Sequence, residues 1–223
     1  MEESMMAVSN RPGARPASVA AGAFAALLLS LSVASAQAPI PTEGQIADAL
    51  TPKPMTRSLS TGAPAQPRTG GGEEAAFIDS LRSPPTRSLS VGQRDRLATI
   101  ADGKPTIDLD IPFALNSATI SAKARPAIDA LGAALSRPAL KEGTFMIAGH
   151  TDARGGEAVN QGLSERRAAA VKRYLVEKFK LSPKNLITAG YGKSRLKNKE
   201  QPLADENRRV QTSNLTDVQS TSR

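Results

Sequence analysis

The chain has 223 residues, 39% hydrophobic and 3% aromatic, with no cysteine, no tryptophan, one histidine and a formal net charge of +8. Without cysteine it has no disulfide framework, no thiolate metal site, no cysteine nucleophile and no lipid-bearing cysteine, and His150 alone leaves little for histidine-based metal binding. Residues 104–213 carry 19 basic and 11 acidic side chains, which accounts for the whole excess, and a surplus of that kind favours an anionic partner such as nucleic acid, lipid headgroups or an acidic wall polymer.

In chain order, residues 1–36 read as a signal peptide. Arg11 and Arg15 precede an apolar run from Val19 to Ala34, and Ala34-Ser35-Ala36 follows in an A-x-A cleavage pattern. Cleavage after Ala36 leaves a mature chain that begins at Gln37. The alternative is retention as an inner-membrane tether, for which the run is short against the roughly 20 residues of a spanning helix.

Residues 37–103 hold eight prolines and the cluster Gly70 to Gly72, with few large apolar groups. A stretch of this composition buries too little to offset its ordering entropy, so an extended, largely disordered linker is expected. Two short helical patterns interrupt it, at Glu73–Arg82 with Phe77, Ile78 and Leu81 and at Gly92–Ala101 with Leu97 and Ile100. TRSLS occurs at Thr56–Ser60 and again at Thr86–Ser90; it reads as a duplicated linker segment, or alternatively as a pair of docking motifs.

Residues 104–215 have the periodicities of an α/β domain. Ile107, Leu109 and Ile111 alternate with Asp108 and Asp110 as in a half-buried strand, and Ile128, Leu131 and Leu135 form one stripe of a helix over about 121–136. Phe145 to Ala148 suits a buried strand, and Leu163, Val171, Leu175 and Phe179 mark a second helix that Pro183 limits. Leu186 to Thr188 and Arg209 to Gln211 complete a βαβαββ order, one mixed four-stranded sheet covered by two main helices. Residues 216–223 are expected to be a disordered tail.

Four blocks inside this domain stand in a telling order: Gly149-His150-Thr151-Asp152-Ala153-Arg154-Gly155; Asn160 to Ala168, reading NQGLSERRA; Gly190-Tyr191-Gly192; and Asn207-Arg208-Arg209-Val210. In these blocks the chain resembles the OmpA C-terminal domain family, the peptidoglycan-binding module of Gram-negative envelope proteins. The linker also resembles that of alphaproteobacterial envelope proteins. The resemblance implies a non-catalytic protein of the periplasm or outer membrane that holds peptidoglycan through the diaminopimelate of its stem peptides. It assigns that contact to Asp152 and Arg167, with Asn116, Thr151, Asn160 and Arg209 as secondary contacts. No cofactor or metal is implied. Envelope or outer-membrane proteins are open as partners of the linker, and a dimer is left open.

The assigned residues suit the ligand. The side chain of diaminopimelate ends in an amine and a carboxylate on one carbon; arginine's planar fork bonds both carboxylate oxygens, and an ionised aspartate only accepts. Asp152 lies just past a strand and Arg167 in the early turns of the next helix, which folds both onto one edge of the sheet. Both are expected to serve the ligand and not the core. The competing readings are a loop-capping Asp152 and an Arg167 solvated like Arg166 and Arg173. His150 is expected to be a packed residue, and Lys193, Arg195, Lys197 and Lys199 a solvated run. An enzyme acting on the wall would need an acid and base in a cleft; a nucleic-acid binder is disfavoured by export and by the lack of a recognisable motif. Two positions depart from the family pattern: Val159 stands where an aromatic is common, and Leu203 to Glu206 replaces the usual glycine and arginine, which puts the geometry of the last loop in question.

Overall fold

The alternation at Ile107–Asp110 becomes an edge strand, β1 (Thr106–Leu109), and the run after Gly143 a fully buried one, β2 (Phe145–Gly149). The computed structural model describes residues 40–52, 71–82, 88–114 and 116–216. The signal segment, the first TRSLS copy and most of the tail lie outside the described residues.

Two further strands, β3 (Leu186–Gly190) and β4 (Val210–Asn214), complete a sheet of order β1-β4-β2-β3. β2 and β3 run parallel, and β4 is antiparallel to both β1 and β2, with Val210 level with Leu109 and with Gly149. Between the strands lie α4 (Arg125–Leu135), with Pro126 in its first turn, and α5 (Glu157–Phe179). This is the expected βαβαββ order. Successive side chains of β2 point to opposite faces: Phe145 and Ile147 join Leu109, Val210, Ile128, Leu131, Val171 and Leu175, while Met146 and Ala148 join Ile187 and Ala189 on the other side.

Three helices from the stretch expected to be linker cover this sheet, a correction for those residues. α1 (Glu43–Leu50) was not foreseen; α2 (Gly71–Arg82) and α3 (Val91–Ala101) are the two helical patterns. α1 starts with a capping box, in which the Thr42 hydroxyl accepts from the Gln45 amide and the Gln45 side chain accepts from the Thr42 amide. Its Ile46 and Leu50 are 0% exposed, in the same core as α4 and α5. Each such side chain contributes about 1.5–3 kcal/mol of burial, which offsets the ordering cost that argued for linker. Polar contacts fix its orientation: Arg137 Nε lies 2.7 Å from Glu43 Oε1, and Asn214 Nδ2 donates to the Leu50 carbonyl at 2.9 Å.

α2 and α3 cover the second face, so the sheet is clothed by helices on both sides and not only by two main ones. Ile78, Leu81, Leu97 and Ile100 pack there with Met146 and Ile187. Arg82 donates to Asn185 Oδ1 at 3.0 Å, the Arg96 guanidinium lies 4.6 Å over Phe77, and the Tyr191 hydroxyl donates to the Arg94 carbonyl at 3.0 Å. Ser88 to Ser90, the described end of the second TRSLS copy, are part of this cover. Ser88 donates to Glu165 at 2.8 Å, Leu89 is buried, and Ser90 forms a capping box with Gln93 at the start of α3.

Candidate functional site

Close approach of α5 to the sheet creates the site. A Cβ on Gly149 would collide with the Ser164 carbonyl, and one on Gly190 with the backbone of Glu165; without them the start of α5 lies against the ends of β2 and β3. The loop after β2 then continues the sheet, since the amides of His150 and Thr151 donate to the carbonyls of Arg209 and Gly192 at 3.0 and 2.8 Å.

Asp152 follows at the mouth, 6% exposed. Its Oδ1 accepts from the Arg154 amide at 3.1 Å, a short loop turn, and its Oδ2 accepts from Arg208 Nη1 at 3.0 Å. Arg167, 5% exposed, lies about three turns into α5. Its Nε donates to the Ser117 carbonyl at 3.0 Å, its Nη2 to the Ala114 carbonyl at 3.4 Å, and the guanidinium lies 4.9 Å over the Phe113 ring. Burial, and then the charge of Arg208, lower the Arg167 pKa, while the Asp152 carboxylate raises it. The two charges thus sense one another, yet no ion pair within 4 Å joins them among the described residues. Each is held by other groups, the carboxylate by an amide and an arginine and the guanidinium by two carbonyls. Arg167 Nη1 makes no hydrogen bond among the described residues. Arg167 therefore supports the fold as well, which corrects the expectation that it serves a ligand alone.

The secondary residues divide. Asn160 is buried at the site's floor, where its Nδ2 donates to the Arg154 carbonyl at 2.7 Å and clamps the loop that carries Asp152. Thr151 is buried beside Asp152 with its hydroxyl unpartnered among the described residues. Asn116 is exposed, at φ 50°, in the loop whose carbonyls hold Arg167. Arg209 is not brought to the site. Its Nε donates to Asp108 Oδ1 at 3.2 Å and its Nη1 to the Arg195 carbonyl, on the side of the sheet facing α3.

Arg208 is the residue that sequence reasoning missed. It bridges Asp152 and Asp205, whose Oδ1 lies 2.6 Å from Nη2. Arg208 caps the 3-10 turn Asp205–Asn207, two residues before β4 begins, so neither residue type nor strand alternation marks it in the sequence. The loop before Arg208, which departs from the family pattern, is held together by Asn207. Asn207, fully buried, donates from Nδ2 to the carbonyls of Asn198, Gln201 and Pro202 and accepts from the Asn198 amide.

His150 packs as expected, stacked on Tyr191 with ring centroids 5.5 Å apart. Burial, and then Arg209, lower its pKa to about 3 against the opposing pull of Asp108 and Gln211. The basic run near it is partly paired, Arg195 with Asp102 at 2.7 Å and Lys197 with Asp108 at 3.1 Å. Among the described residues no helix is long and apolar enough to cross a membrane.

Comparison with known proteins places this geometry in context. Residues 112–210 match the family model described as OmpA family. Over 73 residues the chain is 42% identical to Outer membrane protein A of Escherichia fergusonii, covering 33% of this chain and 30% of that protein. Over 90 residues it is 39% identical to Outer membrane protein A of Citrobacter freundii, covering 40% of this chain and 37% of that one. The chain thus spans under two fifths of the length of these relatives. Among solved structures, the OmpA-like domain of a Francisella tularensis protein is 30% identical, with a TM-score of 0.40 and coverage of 48% of this chain and 71% of that one.

Proposed function

Because the chain belongs to the OmpA family through residues 112–210, we propose that it is a non-catalytic envelope protein that anchors itself to peptidoglycan. On this reading it is exported to the periplasm and recognises the diaminopimelate of stem peptides. One observation supports the reading: the buried Asp152 carboxylate and the buried Arg167 guanidinium influence each other electrostatically, yet each is held by other groups and no ion pair joins them among the described residues.

The zwitterionic end of diaminopimelate completes both. Its ammonium adds to the Asp152 carboxylate, which has acceptor sites beyond those used by Arg154 and Arg208. Its carboxylate meets the free Nη1 of Arg167. The Thr151 hydroxyl, buried and unpartnered, gains an acceptor or donor from the same ligand. The test is calorimetric titration of the full chain with diaminopimelate-containing and lysine-containing stem peptides. Tighter binding of the diaminopimelate peptide supports the assignment, and equal binding of the two overturns it.

A further inference from the structure

A groove of about 650 Å3 runs beside the site, between the loop Asn116–Ile120 and one stripe of α5. The stripe consists of Arg166, Ala169, Ala170, Arg173, Tyr174 and Glu177, spaced three or four apart as residues on one helix face are. Ala169 and Ala170 leave the floor shallow, and Arg166 and Arg173 stand exposed above it. Neither arginine forms an ion pair or a hydrogen bond with an acidic side chain among the described residues, in contrast to Arg94, Arg137, Arg195, Arg208 and Arg209. Two unneutralised guanidiniums along one groove mark a surface complementary to carboxylates. The groove adjoins the site through Ser117, which lines it and whose carbonyl accepts from Arg167 Nε at 3.0 Å.

We propose that this groove is a second subsite, which takes the carboxylate-bearing peptide that extends from the diaminopimelate residue held at Asp152 and Arg167. The inference rests on the peptidoglycan reading above and adds the direction of the peptide, along α5 toward Glu177. A stem peptide offers two candidate carboxylates, on its glutamate and at its C-terminal alanine. The groove recognises them by charge and by guanidinium hydrogen bonds, and its small-residue floor admits an extended backbone.

The test compares the full chain with Arg166→Gln/Arg173→Gln, by calorimetry, on free diaminopimelate, on the stem tetrapeptide, and on tetrapeptides amidated at either carboxylate. The double variant is expected to bind free diaminopimelate like wild type and the tetrapeptide about tenfold more weakly, as loss of two exposed ionic contacts allows. The amidation that erases the difference between the two proteins identifies which carboxylate the groove holds. Arg166→Lys/Arg173→Lys is expected to recover most of the loss. Unchanged tetrapeptide binding in the double variant overturns the subsite while leaving the diaminopimelate site intact, and so does an equal loss for both ligands. A wild-type chain that binds neither ligand removes the peptidoglycan reading itself and the subsite with it.

Discussion

Arg208 and Asp152 are paired across the mouth of the site, Nη1 to Oδ2 at 3.0 Å, while the second terminal nitrogen of Arg208 rests on Asp205 at 2.6 Å. The aspartate that would receive a ligand ammonium is therefore already held by a cation of the protein. Since a carboxylate offers about four lone-pair sites, a third donor adds to the Arg154 amide and Arg208 without displacing either; what Arg208 supplies is the orientation of the acceptor.

Arg208→Ala should weaken diaminopimelate binding, and less than Asp152→Ala does, because the Arg154 amide still holds one oxygen. A loss of about threefold to tenfold is expected for Arg208→Ala, the scale of one partly exposed ionic contact. Titration calorimetry on the two variants checks the ranking.

Replacement of Arg167 needs a conservative partner, because the side chain also holds the carbonyls of Ser117 and Ala114. Arg167→Ala should lower stability by about 2–4 kcal/mol through those lost charge-assisted bonds and the contact with Phe113. Arg167→Lys keeps the charge and discards the fork. Its expected effect is on discrimination: the preference of wild type for diaminopimelate over lysine peptides, about tenfold to hundredfold for one such bond, should collapse while the melting temperature falls less than in Arg167→Ala.

The pH dependence of stability should carry the signature of His150. Its folded pKa of about 3 lies below the ordinary 6.5, so the unfolded chain takes up a proton first as pH falls. The contribution is thus fully present above pH 6.5 and is lost progressively between pH 6.5 and about 3. At pH 5 the loss is about 2 kcal/mol. His150→Phe keeps a ring against Tyr191 and removes the titration. Urea unfolding at pH 7 and pH 5 should show a smaller drop for the variant, and equal drops would contradict the buried neutral imidazole.

Leu50→Ala should destabilise the domain by about 2–4 kcal/mol, as expected for a leucine in a filled core. A chain beginning at residue 104 should unfold at a lower urea concentration than one beginning at residue 40, because it lacks the side chains that α1, α2 and α3 bury. Equal midpoints for the two chains would return those helices to the status of linker.

Strand and helix order was legible because the domain's apolar residues keep clean periods of two and of three to four, as at Ile107–Asp110 and at Ile128, Leu131 and Leu135. α1 was not, since eight residues with three buried side chains disappear in proline-rich surroundings. Its legible mark was the Thr42-to-Gln45 capping spacing, a local signal that a composition count averages away. At the site, Asp152 and Arg167 were expected from the family resemblance, since type and spacing alone do not set Arg167 apart from Arg166 and Arg173 on α5. Choosing between Arg208 and Arg209 required the 3-10 turn that ends at Arg208, which two consecutive arginines do not reveal by type. The dual duty of Arg167 was hidden because its partners are backbone carbonyls of Ala114 and Ser117, some fifty residues away along the chain.

α1 also decides how the fold carries load. A pull applied on the chain before Thr42 and resisted at Asp152 meets α1 first, and α1 is fastened to the body chiefly by Ile46 and Leu50, the Arg137–Glu43 bridge and the Asn214 side chain. β1, in contrast, is paired with β4 along all four of its residues. Tension from that end should peel away one eight-residue helix before it shears any strand, so extension is taken up at α1 while the loop that carries Asp152 keeps its shape.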